Sequence, residues 1–270
     1  MTTGSHDATA PAPLITCLMV TLAVPQRFLA ACASIDAFCR QSYAHKELLL
    51  LVNGGTETDR RRLIGHVAGL DHPNIRTVEH AGGITLGALR NLCVEHAGGE
   101  ILCQWDDDDL HHPERLRCQL EALLQGGHDA LFLQEVMQYF PHPQQVYWTN
   151  WAATPAGGHP GTLMVRATVG IQYPTDGQEA WLGEDLRVAL ALRAQGRVGY
   201  LAAMPHLFVY VSHGENSWNI EHHQALIKDL AISTGLLRRR ETQIRAGLQP
   251  FNFPPDLLQV TGASGLAFLL

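Results

Sequence analysis

The chain has 270 residues, of which 46% are apolar and 17% are charged, and this balance excludes a disordered, collagen-like or coiled-coil protein. Acidic side chains outnumber basic ones, with 26 Asp and Glu against 19 Lys and Arg, which gives a formal net charge of -7. Proteins that bind the phosphate backbone of nucleic acids carry a basic surplus, so we expect no nucleic-acid partner. The length suits one large α/β domain.

Apolar runs, the N-terminal segment and the cysteines bear on the cellular compartment of the protein. No apolar run approaches the roughly 20 residues of a spanning helix, and the N-terminus lacks the basic and apolar segments of a signal peptide. We therefore expect a cytoplasmic protein with no transmembrane segment and with a disordered lead-in at residues 1–13. The six cysteines form no C-x-x-C pair, so we interpret them as reduced core residues. They are Cys17, Cys32, Cys39, Cys93, Cys103 and Cys118.

Strands and helices alternate along the first half of the chain. Apolar runs predict buried strands at 14–21, 47–52, 75–78, 101–105 and 130–133. Apolar residues at helical spacing predict helices near 28–39, 63–67, 86–96 and 114–124. The alternation predicts an α/β fold with a doubly wound, mostly parallel sheet and helices on both faces. Ligands of such sheets bind at the carboxyl ends of the strands.

The second half begins with aromatic residues around a Pro-His-Pro turn, which predict a hairpin over 138–151. A helix over 184–195, strands near 198–201 and 206–211, and one long helix over 220–246 follow. His222 and His223 are expected on a solvated face of this last helix. Tyr147, Trp148 and Trp151 suit either an acceptor platform or core packing.

Four consecutive aspartates, Asp106 to Asp109, follow the fourth predicted strand. Their carboxylates repel one another, and a divalent cation would relieve that repulsion. Oxygen ligands suit Mg²⁺ or Mn²⁺, especially where a diphosphate completes the coordination shell. The alternative is an acidic helix N-terminus in which one aspartate caps the following helix.

Three further segments carry chemically useful side chains. Glu184 and Asp185 open a predicted helix, where a carboxylate serves either as a general base or only as a cap. His213 follows an apolar strand and is either a ligand or an ordinary loop histidine. Arg90 lies in a predicted helix and either faces a diphosphate or pairs with a surface acid.

Together these segments resemble the family 2 glycosyltransferases of the GT-A fold, which use nucleotide sugars and invert the anomeric centre. The resemblance covers roughly residues 14–218 and follows the family's motifs in order. These are the strand ending at Thr21, a turn at 41–43, NGGT at 53–56, GALRN at 87–91, GEI at 99–101, the D-x-D-D pattern of the aspartates, GTLMVR at 161–166 and GED at 183–185.

The resemblance implies a role for each matching residue around the metal and the base. Asp106 and Asp108 would be the two ends of the metal motif, with Asp108 the expected direct ligand of Mn²⁺ or Mg²⁺. His213 would supply a further metal or phosphate contact. Asp185 would deprotonate the acceptor hydroxyl, and Glu184 would be the alternative base or orient the acceptor.

The resemblance also assigns residues to the nucleotide sugar. Thr21 and Ala23 would line the base and ribose, Arg90 would approach the base or diphosphate, and Asp106 and Asp107 would contact the donor. Asn53 departs from the family, which has an acid there that accepts a hydrogen bond from the uracil N–H. Its amide oxygen still accepts such a bond, but as a neutral and weaker acceptor.

We therefore predict a metal-dependent, inverting glycosyltransferase that moves a sugar from a nucleoside-diphosphate sugar, with UDP-sugar favoured, to the hydroxyl of a glycan, a lipid-linked sugar or a small molecule. The Q-x-x-R-W motif of processive synthases is missing, which favours a non-processive enzyme. Residues 14–134 would bind the nucleotide sugar, 135–219 would form the acceptor and catalytic half, and 220–270 would be a C-terminal helix and tail. The alternatives are a catalytically silent nucleotide-sugar-binding protein and a sugar-phosphate nucleotidyltransferase, although the latter's glycine-rich phosphate loop is not found after the first strand.

Overall fold

The structure is a computed structural model that describes residues 12–214, 216–254 and 256–270. The predicted lead-in at 1–13 therefore lies, up to residue 11, outside the described residues. Within these ranges the strands are β1 (Ile15–Leu22), β2 (Lys46–Asn53), β3 (Ile75–His80), β4 (Ile101–Gln104), β5 (Leu110–His111), β6 (Ala130–Leu133), β7 (Glu135–Phe140), β8 (Gln145–Asn150), β9 (Met164–Arg166), β10 (Val198–Leu201), β11 (Phe208–Val211), β12 (Gln259–Gly262) and β13 (Gly265–Leu269).

The helices are α1 (Phe28–Cys39), α2 (Glu57–Gly69), α3 (Leu86–His96), α4 (Arg115–Gln125), α5 (Glu184–Gln195), α6 (Ile220–Leu230), α7 (Thr234–Arg239) and α8 (Glu241–Leu248). Thr56 caps α2 and Thr85 caps α3, since each threonine hydroxyl accepts a hydrogen bond from the backbone N–H three residues on. Such caps satisfy amide groups that a helix start leaves without a partner.

The larger sheet has seven strands in the order β10-β6-β9-β4-β1-β2-β3. It is parallel except at β9, which runs antiparallel to both β4 and β6. Residues on alternate sides of β1 and β2 pack into different cores, one with α1, α2 and α4 and the other with α3 and α5. The predicted doubly wound α/β fold with helices on both faces is confirmed, and within this sheet β9 is the strand that the sequence pattern missed.

Strand register decides which side chains meet at the functional edge. Leu22 at the end of β1 pairs with Asn53 at the end of β2, and Asn53 pairs with His80 at the end of β3. The chain after β4 reaches the same edge and continues into the aspartates. Parallel strands thus bring segments far apart in sequence to one line above the sheet.

A second sheet has six strands, in the order β13-β12-β8-β7-β11-β5. The predicted hairpin is present as β7 and β8, which pair antiparallel. Trp148 belongs to a core of this sheet with α7 and α8, whereas Trp151 packs in another core with Phe208 and Leu230. For Trp148, the core alternative of the sequence analysis is therefore the correct one.

The C-terminal region differs from the prediction of one long helix over 220–246. Three helices occupy it, because Ala231 leaves the helical conformation and forms a bridge with Thr149, and the Ser233 hydroxyl caps the next helix. The predicted tail instead contains β12 and β13, and β12 runs parallel to β8. These contacts join residues distant in sequence, so no local period signalled them.

All six cysteines are free thiols, as predicted, and five of them are buried. Among the described residues, no helix has the length and apolarity needed to cross a membrane.

Candidate active site

A cavity of about 380 Å³ opens at the carboxyl edge of the first sheet, beside the second sheet. Its lining comes from the loop after β4, from α3, from the start of α5, and from β11 and α6. Six predicted site residues line it, namely Arg90, Asp106, Asp107, Asp108, Glu184 and Asp185. The fold therefore brings together side chains from widely separated segments, as a site at this edge requires.

The four aspartates point in different directions. Asp107 is buried and bound by two groups, since the Thr21 hydroxyl donates to it over 2.5 Å and the Arg27 guanidinium pairs with both of its oxygens. Asp109 is buried and accepts a hydrogen bond of 2.8 Å from the Val211 amide, which ties the loop to the second sheet. Burial and the neighbouring Asp108 raise the pKa of both Asp107 and Asp109.

Asp108 and His213 face each other across the two sheets. The Asp108 Oδ2 atom lies 3.0 Å from His213 Nε2 and 2.9 Å from Arg27 Nη2. Burial opposes ionisation of Asp108, but its bonds with His213 and Arg27 outweigh that effect and lower its pKa. Asp108 is therefore a carboxylate at neutral pH. Asn216 orients His213 by accepting a hydrogen bond from its backbone amide.

Asp108 and His213 would supply two of the ligands of a divalent cation. Across the residues that the structure describes, no group of three or more His, Cys, Asp or Glu side chains is arranged to hold a metal ion. Asp108 and His213 offer one oxygen and one nitrogen donor on adjacent elements, and diphosphate oxygens and water are the usual further ligands of such cations. The carboxylates at the cavity also outnumber its arginines, so a cation would be electrostatically favourable there.

Asp106 is held apart from that pair. One of its carboxylate oxygens accepts from Arg90 Nη2 at 2.9 Å and the other from Gln104 Nε2 at 3.2 Å. The same Arg90 donates through Nε to Glu184 at 2.9 Å. Arg90 thus joins the aspartate loop to the start of α5, and Asp106 and Glu184 compensate its buried charge.

Asp185 lines the cavity beside this ion-pair network. Burial raises the pKa of Asp185 to about 7, with a further contribution from the neighbouring Glu184 charge and an opposing one from Arg90. Its carboxylate also accepts a hydrogen bond from the Leu186 amide at 2.7 Å. A carboxylate with a pKa near neutrality is suited to both releasing and accepting a proton.

The residues predicted to hold the nucleotide sugar are divided between two places. Arg90, Asp106 and Asp107 line the main cavity, whereas Thr21 and Ala23 line a neighbouring small depression together with Arg27 and Phe28, and Asn53 lines neither. Gly55 is pressed against Ala23, since a Cβ atom there would lie 1.8 Å from the Ala23 carbonyl oxygen. Asn53 Oδ1 lies 3.3 Å from His80 Nδ1, so the Asn53 amide already contacts a neighbouring side chain.

Several residues at the site were missed by sequence reasoning. Arg27 gave no signal except that it is the first cation after β1. His80 was recognisable only through the register of β3 against β2. His223 was expected on a solvated face, which is wrong, because it is 1% exposed and lines the cavity with His159 and Tyr210. The burial of His223 depends on its contact with Tyr210 of the second sheet, which the sequence pattern does not contain.

Comparisons with known proteins define the class to which the chain belongs. The family described as "Glycosyl transferase family 2" matches residues 28–168, more than half of the sequence, and the chain belongs to this family. A relative from Bacillus subtilis (strain 168), named "Putative glycosyltransferase EpsE", is 30% identical over 95 residues. That match covers 35% of this chain and 34% of EpsE, so the chain spans about a third of the length of this relative.

Solved structures resemble the fold at low sequence identity. The mannosyltransferase PcManGT from Pyrobaculum calidifontis, in complex with GDP-Man and Mn²⁺, has a TM-score of 0.57 at 15% identity, over 88% of this chain and 67% of that one. TarS 1-349 from S. aureus in complex with UDP has a TM-score of 0.57 at 13% identity, over 89% and 75%. These neighbours are GT-A glycosyltransferases, so the predicted GT-A fold is confirmed.

Proposed function

We propose that the protein is a metal-dependent, inverting and non-processive glycosyltransferase that moves a sugar from a nucleoside-diphosphate sugar to an acceptor hydroxyl. The observation that carries the proposal is the cavity whose lining includes Asp185, with its raised pKa, Arg90, and Asp108, which contacts His213. A base and a polar diphosphate site in one cavity are what a single displacement at the anomeric carbon requires.

Asp185 is the proposed base. A sugar hydroxyl is a weak nucleophile, and its proton has to leave as the new bond forms. Asp185 receives that proton, while Glu184 stays paired with Arg90 and holds the start of α5 in place. Because one displacement inverts the anomeric centre, no second carboxylate is needed as a covalent nucleophile.

Positive charge is needed to stabilise the negative charge of the departing diphosphate. Arg27 and Arg90 line the same cavity, and each is already paired with two carboxylates, which sets their positions before substrate binds. A divalent ion, Mn²⁺ or Mg²⁺, held by Asp108 and His213 would supply Lewis-acid stabilisation of the leaving group. PcManGT is described as a complex with Mn²⁺, which supports the same use of a metal here.

For the donor base we propose uracil. The structures of TarS include complexes with UDP and with UDP-GlcNAc, whereas that of PcManGT contains GDP-Man. Asn53 offers an amide oxygen at the end of β2, beside the His80 ring. A neutral amide is compatible with the uracil N–H but favours it less than a carboxylate would.

The test is a panel of UDP- and GDP-sugars with Mn²⁺ or Mg²⁺, with and without chelator, in which binding and nucleotide release are measured separately. We expect metal-dependent binding of a nucleotide sugar and its slow hydrolysis, with UDP-sugars preferred. Binding without any turnover, even with acceptors added, would instead indicate a silent binding protein. Release of pyrophosphate from a sugar phosphate and a nucleoside triphosphate would indicate a nucleotidyltransferase.

A further inference from the structure

Part of the cavity wall is aromatic and carries buried imidazoles. Trp151, His159, Tyr210 and His223 form it, and we call these four residues the aromatic wall. The His159 ring lies 4.6 Å from Trp151 and 5.0 Å from Tyr210, and the His223 ring lies 5.2 Å from Tyr210 between centroids. None of these residues is needed for the metal pair or the base.

Buried polar atoms of this wall lack partners. His159 is 6% exposed and His223 is 1% exposed. Nδ1 of His159 makes no hydrogen bond with the described residues, and neither ring nitrogen of His223 has a partner of good hydrogen-bond geometry there, although the Trp218 backbone lies close enough to the His223 ring to oppose the lowering of its pKa. Buried polar groups are nearly always satisfied, and an exception that lines a cavity indicates a partner that binds there.

The wall adjoins the reacting centre on two sides. Gly161 separates His159 from the aspartates, and a Cβ atom at this glycine would lie 3.1 Å from Asp106 Oδ2 and 3.3 Å from His159 Cε1. Trp218 stacks on His222 with ring centroids 4.3 Å apart and approaches Gly183, the residue before Glu184 and Asp185. A molecule on the aromatic wall would therefore reach Asp185.

The charges of the lining residues indicate whether a molecule bound at the aromatic wall is neutral or anionic. Among the described lining residues, the Lys and Arg side chains are Arg27 and Arg90, and each of them is already paired with two carboxylates. Burial lowers the pKa of His159 to about 3 and that of His223 to about 4, so both imidazoles are neutral near pH 7. An anionic ligand such as a sugar phosphate would find no available cation at this wall.

We propose that the aromatic wall, with Trp218 at its mouth, binds the acceptor and that the acceptor is a neutral glycoside. The C–H face of a pyranose packs on Trp and Tyr rings, and the imidazole nitrogens bond to its hydroxyl groups. This inference rests on the proposed function, because the bound sugar is an acceptor only if a donor occupies the rest of the cavity.

The experiment measures binding of methyl glycosides of neutral hexoses and of their 6-phosphates by saturation-transfer NMR, on the full chain with UDP and Mg²⁺. The informative variants are His223→Phe and Trp218→Ala. His206→Phe and Trp181→Ala are the matched controls, since His206 is also an imidazole with a pKa lowered to about 4 and Trp181 is also exposed, and neither lines the cavity. Trp218 is 36% exposed, so its variant tests the proposal even if His223→Phe fails to fold.

We expect a neutral glycoside to bind and its dissociation constant to rise at least about fivefold in His223→Phe and Trp218→Ala, but not in the controls. The proposal is overturned if no neutral glycoside binds, if the informative variants bind it like the parent, or if the 6-phosphates bind more tightly. A thermal shift with UDP and Mg²⁺ is recorded in parallel. If the protein binds glycosides but no nucleotide, the carbohydrate site is supported and the proposed transferase function is rejected.

Discussion

Asp185 and Arg90 together set the ionisation of the site. The pKa of Asp185 is raised to about 7 by burial and by Glu184, and Arg90 is the cation that opposes the rise. A folded-state pKa above the ordinary aspartate value of about 4 means that the folded protein binds the proton more tightly than the unfolded chain. The contribution of Asp185 to the free energy of unfolding is therefore largest below about pH 4 and falls as the pH rises to about 7.

The first prediction concerns pH. Only the ionised base is active, so kcat/KM should rise with pH through an inflection near the Asp185 pKa of about 7. Arg90→Met removes the opposing cation and should move that inflection to higher pH while weakening donor binding. Arg76→Met is the control, because Arg76 pairs with Glu47 away from the cavity. An inflection near pH 4, or one that Arg90→Met leaves in place, would show that another group titrates.

The second prediction concerns base choice at Asn53. Asn53→Asp introduces a charged acceptor beside His80, and it should tighten UDP binding selectively by on the order of 1 kcal/mol, about fivefold. Titration calorimetry with UDP and GDP measures both affinities under the same conditions. If both nucleotides gain equally, residue 53 does not read the base.

Helix α3 shows how one element positions the site. Its Gly87 faces the 173–174 segment so closely that a Cβ atom would lie 1.9 Å from the Pro174 carbonyl oxygen. Asn91, one turn on, bonds to both backbone groups of Tyr173, at 2.9 and 2.8 Å. The helix is thereby held in a fixed place, and Arg90 between these contacts projects to Asp106 and Glu184.

The third prediction follows from that contact. Gly87→Ala should lower the free energy of unfolding by about 1–3 kcal/mol through overpacking, and it should reduce activity because Arg90 moves. Gly65→Ala is the matched control in α2, where a Cβ atom meets nothing within 4 Å, and it should stabilise by about 0.5–1 kcal/mol. Denaturant unfolding compares the two. Equal stability of both variants would contradict the close approach of α3.

The sequence predicted those elements whose signal is local. The helix at 86–96, the strand end at Asn53 and the aspartates after β4 follow from apolar spacing and strand ends, and parallel pairing then places them at one edge. Burial of His223 and the break at Ala231 depend on contacts with the second sheet, as does the addition of β12 to β8. The roles of Asp108, His213 and Asp185 came from the family resemblance, and they stay predictions that the experiments described here test.

In the whole molecule, the two sheets meet at the aspartate loop. Asp109 bonds to Val211 at the end of β11, and Asp108 contacts His213 two residues further on. A ligand at this junction contacts both sheets, so its binding energy stabilises the folded chain as a whole.

The fourth prediction uses that stabilisation. UDP with Mn²⁺ should raise the unfolding temperature, with about 2.7 kcal/mol of added stability at a hundredfold excess over the dissociation constant. Asp108→Ala and chelation with EDTA should each abolish the metal-dependent part of this rise in unfolding temperature. Asp36→Ala, outside the cavity lining, is the control for loss of a carboxylate. A parental shift in Asp108→Ala would show that Asp108 does not hold the metal.

The central claim is that Asp185 takes the proton of the acceptor, and the most direct test is single-turnover transfer by Asp185→Asn. Asn keeps the size of the side chain, and its amide oxygen is able to accept the hydrogen bond from the Leu186 amide, but it does not accept the proton. We predict a folded protein that binds donor and metal like the parent and transfers sugar at least about a hundredfold more slowly. Near-parental transfer by this variant, with chemistry rate-limiting, would contradict the claim and assign the base to another residue.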